Sequence, residues 1–408
     1  MIRILTARDA QSLIQRKNVR MEEAERVVMP ILADVRERGD AAVLDYTRKF
    51  DRFDGENVRV HVVGSLEPEF RRAVEVAAEN IRGYALAQMP REWFVDHPDG
   101  RRLGQIVRPL DAMGAYVPAG RYPLPSTVLM TVIPAQVAGV STICVACPNP
   151  SPEILGIADL LGVTHMFRMG GAQAIAALAY GTQTVPKVDR IVGPGNIYVA
   201  AAKKLLAGEV GIDFVAGPTE IVVIAADGNP RWIAADLLAQ AEHDVDASAI
   251  LLTTSRALAE AVAKEIEAQL ATLPTSHVAR PSIDTNGAIV VVDSLDQAVA
   301  ISNALAPEHL ALHDGSLLSK VRHAGAVFIG ALSPEAAGDY ASGPNHVLPT
   351  SGAARLRGGL SAADFVKVIA VQELSREGIR RLTPAIVKLA RAEGLEAHAR
   401  SAEVRGDG

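Results

Sequence analysis

Short apolar runs of β type alternate with longer helix-like stretches through most of the chain. Between residues 111 and 228 the predicted strands are AMGAYVP, STICVAC, HMFRMG, DRIVG and EIVVIAA, with helices such as STVLMTVIPAQVAGV and AQAIAALAYG between them. In a second series the predicted strands are ASAILLTT, GAIVVVD, HLALHD and GAVFIG, and the helices include PRWIAADLLAQAEH and SRALAEAVAKEIEAQL. This alternation predicts parallel sheets joined by right-handed crossovers.

The two ends of the chain have a mostly helical pattern. In the segment MEEAERVVMPILADVRERGD, apolar residues recur at three and four positions, and Gly39 is a natural helix stop. A strand-like VRVHVV at residues 58–63 interrupts a pattern that is otherwise helical as far as about Ala87. From about Leu360 onward the chain is again predicted to be helical and is rich in Ala, Arg and Glu. The pattern therefore predicts two successive α/β units with helical ends.

Composition narrows the possible functions. A length of 408 residues is enough for two or three domains, and 49% hydrophobic with 22% charged residues is typical of a soluble globular protein. Aromatic residues make up only 4%, so the core must consist mainly of Ala, Val, Leu and Ile. A net charge of −6 without a basic stripe argues against a nucleic-acid partner. The apolar runs are shorter than the roughly 20 residues of a membrane span, and a secretory pattern is not seen, so we expect a cytoplasmic protein without membrane association.

The two cysteines, Cys144 and Cys147, form a C-x-x-C in STICVACPNP. Such a pair can be a redox centre or half of a zinc site, but a redox pair normally opens a helix. This one lies in a β-type run that ends at Pro148, and the chain has no second cysteine pair. We therefore predict that both cysteines pack in the core.

Two short segments bring imidazoles next to oxygen groups. Gln240 and His243 are three residues apart in LLAQAEHD, a spacing that places both on one face of a helix. They can be zinc ligands or the polar end of a helix. Glu308 and His309 are adjacent in APEHL, where a helix gives way to a strand. A carboxylate beside an imidazole suits proton transfer near neutral pH, although two solvated residues at a strand end have the same pattern.

Two further segments carry polar residues that fit either a site or an ordinary surface. The segment AGDYASGPNHVLPT holds Asp339 and His346 among glycines and prolines, which predicts a shaped loop and not a helix or a strand. Asp339 can supply a hard oxygen ligand, but an ordinary turn has the same composition. Near the end, Glu393 and His398 in RAEGLEAHAR are by themselves typical of a solvated helix face.

Three glycine turns follow predicted strands, but none has the usual dinucleotide fingerprint. They are YVPAG at residues 116–120, MGGAQA at 169–174 and VGPGN at 192–196. Turns that lead into helices let backbone amides approach a phosphate, yet plain chain reversal is the commoner reason for such turns.

Taken together, these segments resemble the histidinol dehydrogenase family in order and spacing, from about Glu22 to His398. The matching series is YVPAG, PSTVLM, GGAQAIAALAYGT, VPKVD, GPGN, AGPTE, LLAQAEHD, PEHL, AGDYASGPNHVLPT and a terminal EGLEAH. The resemblance implies an NAD-dependent dehydrogenase that oxidises L-histidinol to L-histidine through the aldehyde in two hydride transfers.

The resemblance also implies roles for individual residues. One Zn²⁺ per subunit would be held by Gln240, His243, Asp339 and His398, with His309 as the base for alcohol oxidation and Glu308 as the group that activates water. Other residues would bind the substrate or NAD. The implied substrate-binding set is Ser126, Thr219, Gln240, His243, His309, Asp339, His346, Glu393 and His398, and the implied NAD contacts are Tyr116, Gln173 and Asn196.

The implied fold is α/β, with two incomplete Rossmann-like parallel-sheet domains and helical terminal segments in an interlocked homodimer. On this basis we assign residues 1–20 to an N-terminal helical segment and residues 21–115 plus 220–359 to a first domain with the zinc and catalytic residues. Residues 116–219 would form a second domain with the NAD contacts. Residues 360–408 would form a helical tail that reaches the partner's active site.

Several positions depart from the family's usual residues. They are Thr219 in place of serine, Ala119 in place of glycine, Val368 in place of a basic residue, and an added acid at Asp246. None removes an implied ligand or the Glu-His pair. They leave open a relative that oxidises another small alcohol, such as an amino alcohol or a sulfonated diol. A metal-binding protein without catalytic activity is the third alternative.

Overall fold

The computed structural model describes residues 1–10, 13, 19–120 and 122–406. In chain order the strands are β1 (Arg3–Thr6), β2 (Arg59–Val60), β3 (Trp93–Asp96), β4 (Arg101–Pro109), β5 (Ala112–Tyr116), β6 (Thr142–Ala146), β7 (His165–Phe167), β8 (Arg190–Val192), β9 (Gly211–Ile212), β10 (Glu220–Ile224), β11 (Ser248–Thr253), β12 (Ala288–Val291), β13 (His309–Leu312), β14 (Ala326–Ile329) and β15 (Val366–Leu374). The α-helices are α1 (Val19–Arg38), α2 (Asp40–Asp51), α3 (Pro68–Ala87), α4 (Pro125–Ala138), α5 (Pro152–Leu160), α6 (Gly171–Tyr180), α7 (Ile197–Leu206), α8 (Pro230–Ala241), α9 (Arg256–Leu270), α10 (Ser276–Asn286), α11 (Leu295–Leu305), α12 (Glu335–Tyr340), α13 (Arg376–Ala392) and α14 (Glu396–Gly406).

One six-stranded sheet has the order β1-β12-β11-β10-β13-β14, and all its neighbouring strands are parallel. We call it the C-sheet. Every residue of β10 and β11 is buried, because apolar helices and loops cover both faces and form a separate core on each. Burial on both faces explains why these strands are continuous apolar runs in the sequence.

A second six-stranded sheet, the N-sheet, has the order β2-β7-β6-β5-β8-β9. Its strands are parallel except for β2, which pairs with β7 in the antiparallel direction at one edge. Helix α4 lies against this sheet and is buried on almost all sides, which explains why its sequence is apolar without helical periodicity. The predicted α/β class with parallel sheets is therefore confirmed.

A three-stranded antiparallel sheet, β15-β4-β3, corrects the prediction of a wholly helical tail. Strand β15 lies within residues 360–408 and pairs along its whole length with β4, from Val366 opposite Pro109 to Leu374 opposite Arg101. The tail therefore contains a strand, because a distant segment of the chain supplies its hydrogen-bonding partner. Helices α13 and α14 complete the tail.

The N-terminal assignment is also corrected, because residues 1–20 were predicted to be helical. Residues Arg3–Thr6 form β1, which pairs in parallel with β12 at the edge of the C-sheet. Four residues are too few to give a periodic signal, and the pairing partner lies far along the chain, with Arg3 opposite Ala288. Residues 11, 12 and 14–18 lie outside the described residues.

The sheets divide the chain differently from the predicted domains. Residues 21–115 were assigned with the zinc and catalytic residues, yet β2 and β5 belong to the N-sheet. The apolar faces of α1 and α2 share one core with α6 and α7. This packing places α1 and α2 with the predicted NAD contacts. No helix within the described ranges is long and apolar enough to span a membrane.

Cys144 and Cys147 are both buried and free, as predicted for core residues. Cys144 lies in β6 and Cys147 follows that strand directly. Burial raises the pKa of each thiol to about 12. At neutral pH both therefore stay in the protonated, unreactive form.

We expect iodoacetamide at pH 8 to leave both cysteines unmodified in the folded protein and to modify both after unfolding. The thiolate is the reactive form, and burial suppresses both its formation and its contact with reagent. Intact-mass spectrometry before and after denaturation measures the number of adducts. Rapid modification of either thiol in the native protein would contradict the core assignment.

Candidate active site

The predicted catalytic residues and the predicted substrate contact Thr219 lie at the amino-terminal ends of two neighbouring strands of the C-sheet. Thr219 immediately precedes β10, and Glu308 and His309 stand at the start of β13, where His309 is opposite Ile221 in the register. Helix α8 follows β10 and returns antiparallel to it, so Gln240 near the helix end comes back to the same edge. Open α/β sheets usually bind ligands at the carboxyl ends of their strands, so this candidate site uses the opposite edge.

A chain of hydrogen bonds joins Gln240, Thr219 and Glu308. The Thr219 hydroxyl donates a short hydrogen bond to Oε2 of Glu308, and the backbone N–H of Glu220 donates to the same oxygen at 2.9 Å. Because the Thr219 hydrogen is used in this way, its oxygen can only accept from Nε2 of Gln240, at 2.6 Å. The amide is thereby oriented so that its Oε1, which is buried, has no hydrogen-bond partner.

His309 lies between two carboxylates. Its Nδ1 is 3.7 Å from Oε2 of Glu308, and its Nε2 is 3.3 Å from Oδ1 of Asp339. Burial by itself lowers the pKa of His309, but the charge of Glu308 and the hydrogen bond to Asp339 outweigh it and raise the pKa to about 10. Burial raises the pKa of Glu308, and His309 and Thr219 oppose that rise. In this arrangement His309 holds a proton that it must release before it can act as a base.

Asp339 connects His309 with His346. Nδ1 of His346 donates to the backbone carbonyl of Asp339 at 2.9 Å, so Nε2 is the unprotonated nitrogen when the ring is neutral. Burial lowers the pKa of His346, which favours that neutral form. Burial works to raise the pKa of Asp339, but the hydrogen bond from His309 and the charges of His309, His346 and His243 bring it below its usual value.

The segment around Asp339 corrects the prediction of a loop without helix. Residues Glu335–Tyr340 form the short helix α12, and only the residues after it follow an irregular path. Nε2 of His346 lies 3.4 Å from Oγ1 of Thr127 in the first turn of α4. Ser126, which precedes Thr127, is half-buried at this helix start. The N-sheet therefore contributes α4 to the rim of the site.

Two acidic residues near the site have no counterpart in the sequence predictions. Glu335 is 2% exposed, and neither of its carboxylate oxygens has a hydrogen-bond partner. Burial raises its pKa far above the usual value, and nearby His309 opposes the rise. Asp236 lies one turn before Gln240 in α8, and burial raises its pKa to about 6. The only signal in the sequence is the four-residue spacing of each acid from a predicted ligand, Asp236 from Gln240 and Glu335 from Asp339.

His243 is exposed just beyond the end of α8, near enough to Asp339 for its charge to affect that carboxylate. Glu393 and His398 are exposed on the tail, at the end of α13 and within α14. Within the described chain they do not join the group formed by Gln240, Glu308, His309 and Asp339. Across the described ranges, no three His, Cys, Asp or Glu side chains converge closely enough to hold a metal ion by themselves.

The predicted NAD contacts lie at the carboxyl edge of the N-sheet. Tyr116 ends β5, and its hydroxyl oxygen accepts a hydrogen bond from the backbone N–H of Gly171 at 3.1 Å. Gln173, in the first turn of α6, is 1% exposed and donates from Nε2 to Oδ2 of Asp51 at 3.2 Å. The same Asp51 oxygen accepts the N–H of Gly170 at 2.9 Å.

Asn196 is exposed at the third glycine turn, between β8 and α7. Its Oδ1 accepts hydrogen bonds from the backbone N–H groups of Tyr198 and Val199, at 3.0 and 3.1 Å, and so caps the helix. The three turns identified in the sequence therefore meet at one sheet edge, each between a strand and a helix.

Comparisons with known proteins show which family this chain resembles. The family model described as histidinol dehydrogenase matches residues 14–406. A histidinol dehydrogenase from Geobacter metallireducens is 50% identical over 94% of this chain and 92% of its own, and one from Geobacillus kaustophilus is 49% identical over 94% of each. The crystal structure of histidinol dehydrogenase from Elizabethkingia anophelis superposes with a TM-score of 0.93 at 37% identity, covering 99% of this chain and 98% of that one.

An acetylating aldehyde dehydrogenase from Geobacillus thermoglucosidasius has a TM-score of 0.52 at 12% identity, over 91% of this chain and 95% of that one, which is a likeness of fold alone. The family match, by contrast, spans nearly the whole chain and includes every segment that builds the site. The chain therefore belongs to the histidinol dehydrogenase family.

Proposed function

We propose that this protein oxidises L-histidinol to L-histidine through the aldehyde, with two successive hydride transfers to NAD⁺. The observation that carries the proposal is the Gln240–Thr219–Glu308 hydrogen-bond chain beside His309 and Asp339. It supports an acid-base role for Glu308 and His309 beside two oxygen groups suited to a cation or the substrate. These are Oε1 of Gln240, which has no hydrogen-bond partner, and the carboxylate of Asp339, which accepts from His309. Membership of the histidinol dehydrogenase family supports the choice of reaction.

The donor set at this site fits a zinc ion. The buried Oε1 of Gln240 has no partner, and a cation is one group that satisfies such an oxygen. We assign Gln240, His243 and Asp339 of one subunit and His398 of the partner subunit as the ligands. An amide oxygen and a ligand from a second chain also account for the absence of a three-residue His, Cys, Asp or Glu cluster in the described part of a single chain. Zinc would supply a positive template that orients the substrate.

The alcohol step requires a base, and we assign it to His309. His309 accepts the hydroxyl proton from the substrate as the hydride leaves the carbon for NAD⁺, which gives the aldehyde. The ring must first be neutral, although Glu308 and Asp339 raise the pKa of His309 to about 10. Sharing Asp339 with a cation would weaken its hydrogen bond to His309 and lower that pKa.

The aldehyde step requires an activated water, and we assign its activation to Glu308. Glu308 removes a proton from water as the oxygen attacks the aldehyde carbon, and the resulting hydrate loses a second hydride to NAD⁺. Burial raises the pKa of Glu308, which makes it a better base than an exposed carboxylate. The hydrogen bonds from Thr219 and Glu220 hold one oxygen, Oε2, in place.

We assign the remaining substrate contacts to Ser126, Thr219 and His346, together with Glu393 of the partner subunit. Thr219 has an additional part, since its hydroxyl links Gln240 to Glu308. A threonine supplies this hydroxyl as well as a serine does, which reconciles Thr219 with the family's usual residue. The NAD contacts are assigned to Tyr116, Gln173 and Asn196 at the edge of the N-sheet.

We further propose a homodimer in which the tail of one subunit completes the active site of the other. An exposed apolar surface supports this assembly, because large apolar patches rarely remain uncovered. On β3 and β15 of the three-stranded sheet, Trp93, Val95 and Val368 lie on one face and Phe94 and Ile369 on the other, and all five are more than 40% exposed. On the tail helices Leu389 is 66% exposed. A partner that covers this surface would also bring the exposed Glu393 and His398 close to a second site.

The proposed reaction is tested by following NADH formation by zinc-loaded protein with L-histidinol and with a panel of small amino alcohols and sulfonated diols. We expect L-histidinol to give the highest kcat/KM and two NADH per substrate molecule. A higher kcat/KM with another alcohol would assign the protein to a different substrate within the same reaction class.

We expect Glu308→Gln to slow aldehyde oxidation by about 10²-fold or more, and alcohol oxidation much less. Glutamine still accepts hydrogen bonds from Thr219 and Glu220, so the geometry is retained, but it cannot take a proton from water. Single-turnover measurements started from histidinol and from histidinal separate the two steps. Equal slowing of both steps would reject water activation by Glu308.

A further inference from the structure

A buried ion pair between Lys203 and Asp213 lies directly behind the third glycine turn. Lys203 is 1% exposed and Asp213 is 5% exposed. Lys203 is on α7, which begins after Asn196, and Asp213 follows β9 in the segment that leads from the N-sheet to the C-sheet. Removing two charges from water has a large cost, so a buried pair at a turn requires an explanation beyond packing.

The pair holds both backbone polar groups of Gly193. Oδ2 of Asp213 accepts the N–H of Gly193 at 2.8 Å, and Nζ of Lys203 donates to the carbonyl of Gly193 at 3.0 Å. The other Asp213 oxygen accepts the N–H of Phe214 at 2.6 Å. Asp213 is itself held in place by a residue outside the turn, because Arg357 donates to its backbone carbonyl at 2.5 Å. Gly193 is therefore held at its N–H by the carboxylate of Asp213 and at its carbonyl by the ammonium group of Lys203.

The conformation of Gly193 explains why these hydrogen bonds are needed. Its φ is +108°, a left-handed value that L side chains rarely adopt, and a Cβ there would lie 2.2 Å from the carbonyl oxygen of Tyr116. A glycine has many alternative conformations, so contacts to both of its backbone polar groups restrict this position of the turn. It is also the link between β8 and Asn196, and it packs on Tyr116.

We propose that Lys203 and Asp213 are positioning residues for NAD. By fixing Gly193, the pair sets the path of Pro194, Gly195 and Asn196 and thereby the direction of the amino-terminal end of α7 at the edge of the N-sheet. This inference rests on the proposed NAD contacts at Tyr116 and Asn196. Neither Lys203 nor Asp213 touches the Gln240–Thr219–Glu308 chain, so their effect is on the cofactor and not on histidinol.

The test compares Lys203→Met, Asp213→Asn and the double variant in zinc-loaded, full-length protein. Each single variant leaves one charge buried without its partner, so we expect a lower Tm for both. We also expect Kd and KM for NAD to rise about ten- to a hundredfold, while KM for histidinol changes less than about twofold. Asp213→Asn keeps the side-chain volume and so remains measurable if Lys203→Met does not fold.

The double variant separates positioning from stability. It leaves no unpaired buried charge, so its Tm should return toward the wild-type value, while its Kd for NAD should stay high. If Kd for NAD recovers together with Tm, the pair has only a structural role and the proposal is overturned. An equal rise in KM for histidinol would overturn it as well.

Lys204→Met is the matched control. Lys204 is the next residue of α7 and pairs with Glu25 at the surface, where its side chain is half exposed. We expect its Kd for NAD to equal that of the wild type, and a comparable rise in this variant would overturn the assignment to Lys203. Titration of NAD without substrate keeps this test separate from the proposed reaction, because binding is measured even if histidinol is not turned over.

Discussion

Replacing His309 with alanine is expected to slow the first hydride transfer by about 10²- to 10⁴-fold while zinc content stays near one per subunit. In the proposed reaction His309 takes the hydroxyl proton, and the variant leaves Glu308 and Asp339 without the ring that lies between them. Neither carboxylate takes over this role, because Asp339 is assigned to the metal and Glu308 to the activation of water in the aldehyde step. Rapid-mixing measurement of NADH formation gives the rate, and elemental analysis gives the zinc content.

His313→Ala is the matched control for this variant. His313 follows β13 at the end opposite to His309, is only partly buried, and its backbone N–H is hydrogen-bonded to Ile224. We expect its hydride-transfer rate to remain close to that of the wild type. Loss of zinc from His309→Ala would make His309 a ligand, and a hydride-transfer rate equal to the wild type would exclude it as the base.

The sequence predicts best those strands that are buried on both faces of the sheet. Strands such as β10 are continuous apolar runs because helices or loops cover both faces, so a local pattern is enough to identify them. Two of the missed strands depend on distant partners. Strand β1 pairs with β12, and β15 pairs with β4. Their local sequences are short or mixed, and only the tertiary contact decides that they are extended.

The candidate site, too, can be predicted from the sequence only in part. The adjacency of Glu308 and His309 is visible in the sequence, but the link from Gln240 through Thr219 to Glu308 depends on three separate segments. Glu335 is not predicted at all, since an acid at the start of a helix is normally exposed to solvent. Its burial follows from the packing of α12 against the C-sheet strands and α8. The role of His398 comes only from the family resemblance.

The location of the site at the amino-terminal edge of the C-sheet has a physical consequence. The carboxyl edge of the N-sheet and the start of α4 lie next to it, as the contact between Thr127 and His346 indicates. A cofactor at the carboxyl edge of the N-sheet and a substrate at the amino-terminal edge of the C-sheet would then meet in one cleft. The tail with Glu393 and His398 is the remaining part of the proposed site, and it is exposed in the single chain.

Mixing two inactive variants is expected to restore activity if the site is shared between subunits. In a heterodimer of His309→Ala and His398→Ala, one site combines the intact His309 with the intact His398 of the partner subunit, and the other site carries both defects. Random reassembly of equal amounts gives half heterodimers, each with one working site of two. The mixture should therefore reach about a quarter of wild-type activity.

The control mixture pairs His309→Ala with Asp339→Asn. His309 and Asp339 of one subunit contribute to the same active site, so every site in the heterodimer retains one defect. Activity should therefore stay at the level of the separate variants. Subunits are mixed in mild denaturant, reassembled with zinc, and assayed for NADH formation, with dimer formation checked by light scattering. If the first mixture forms heterodimers and stays inactive, each active site uses its own His398. In that case the exposed apolar surface on β3 and β15 would require a different explanation, because covering it would no longer complete the site.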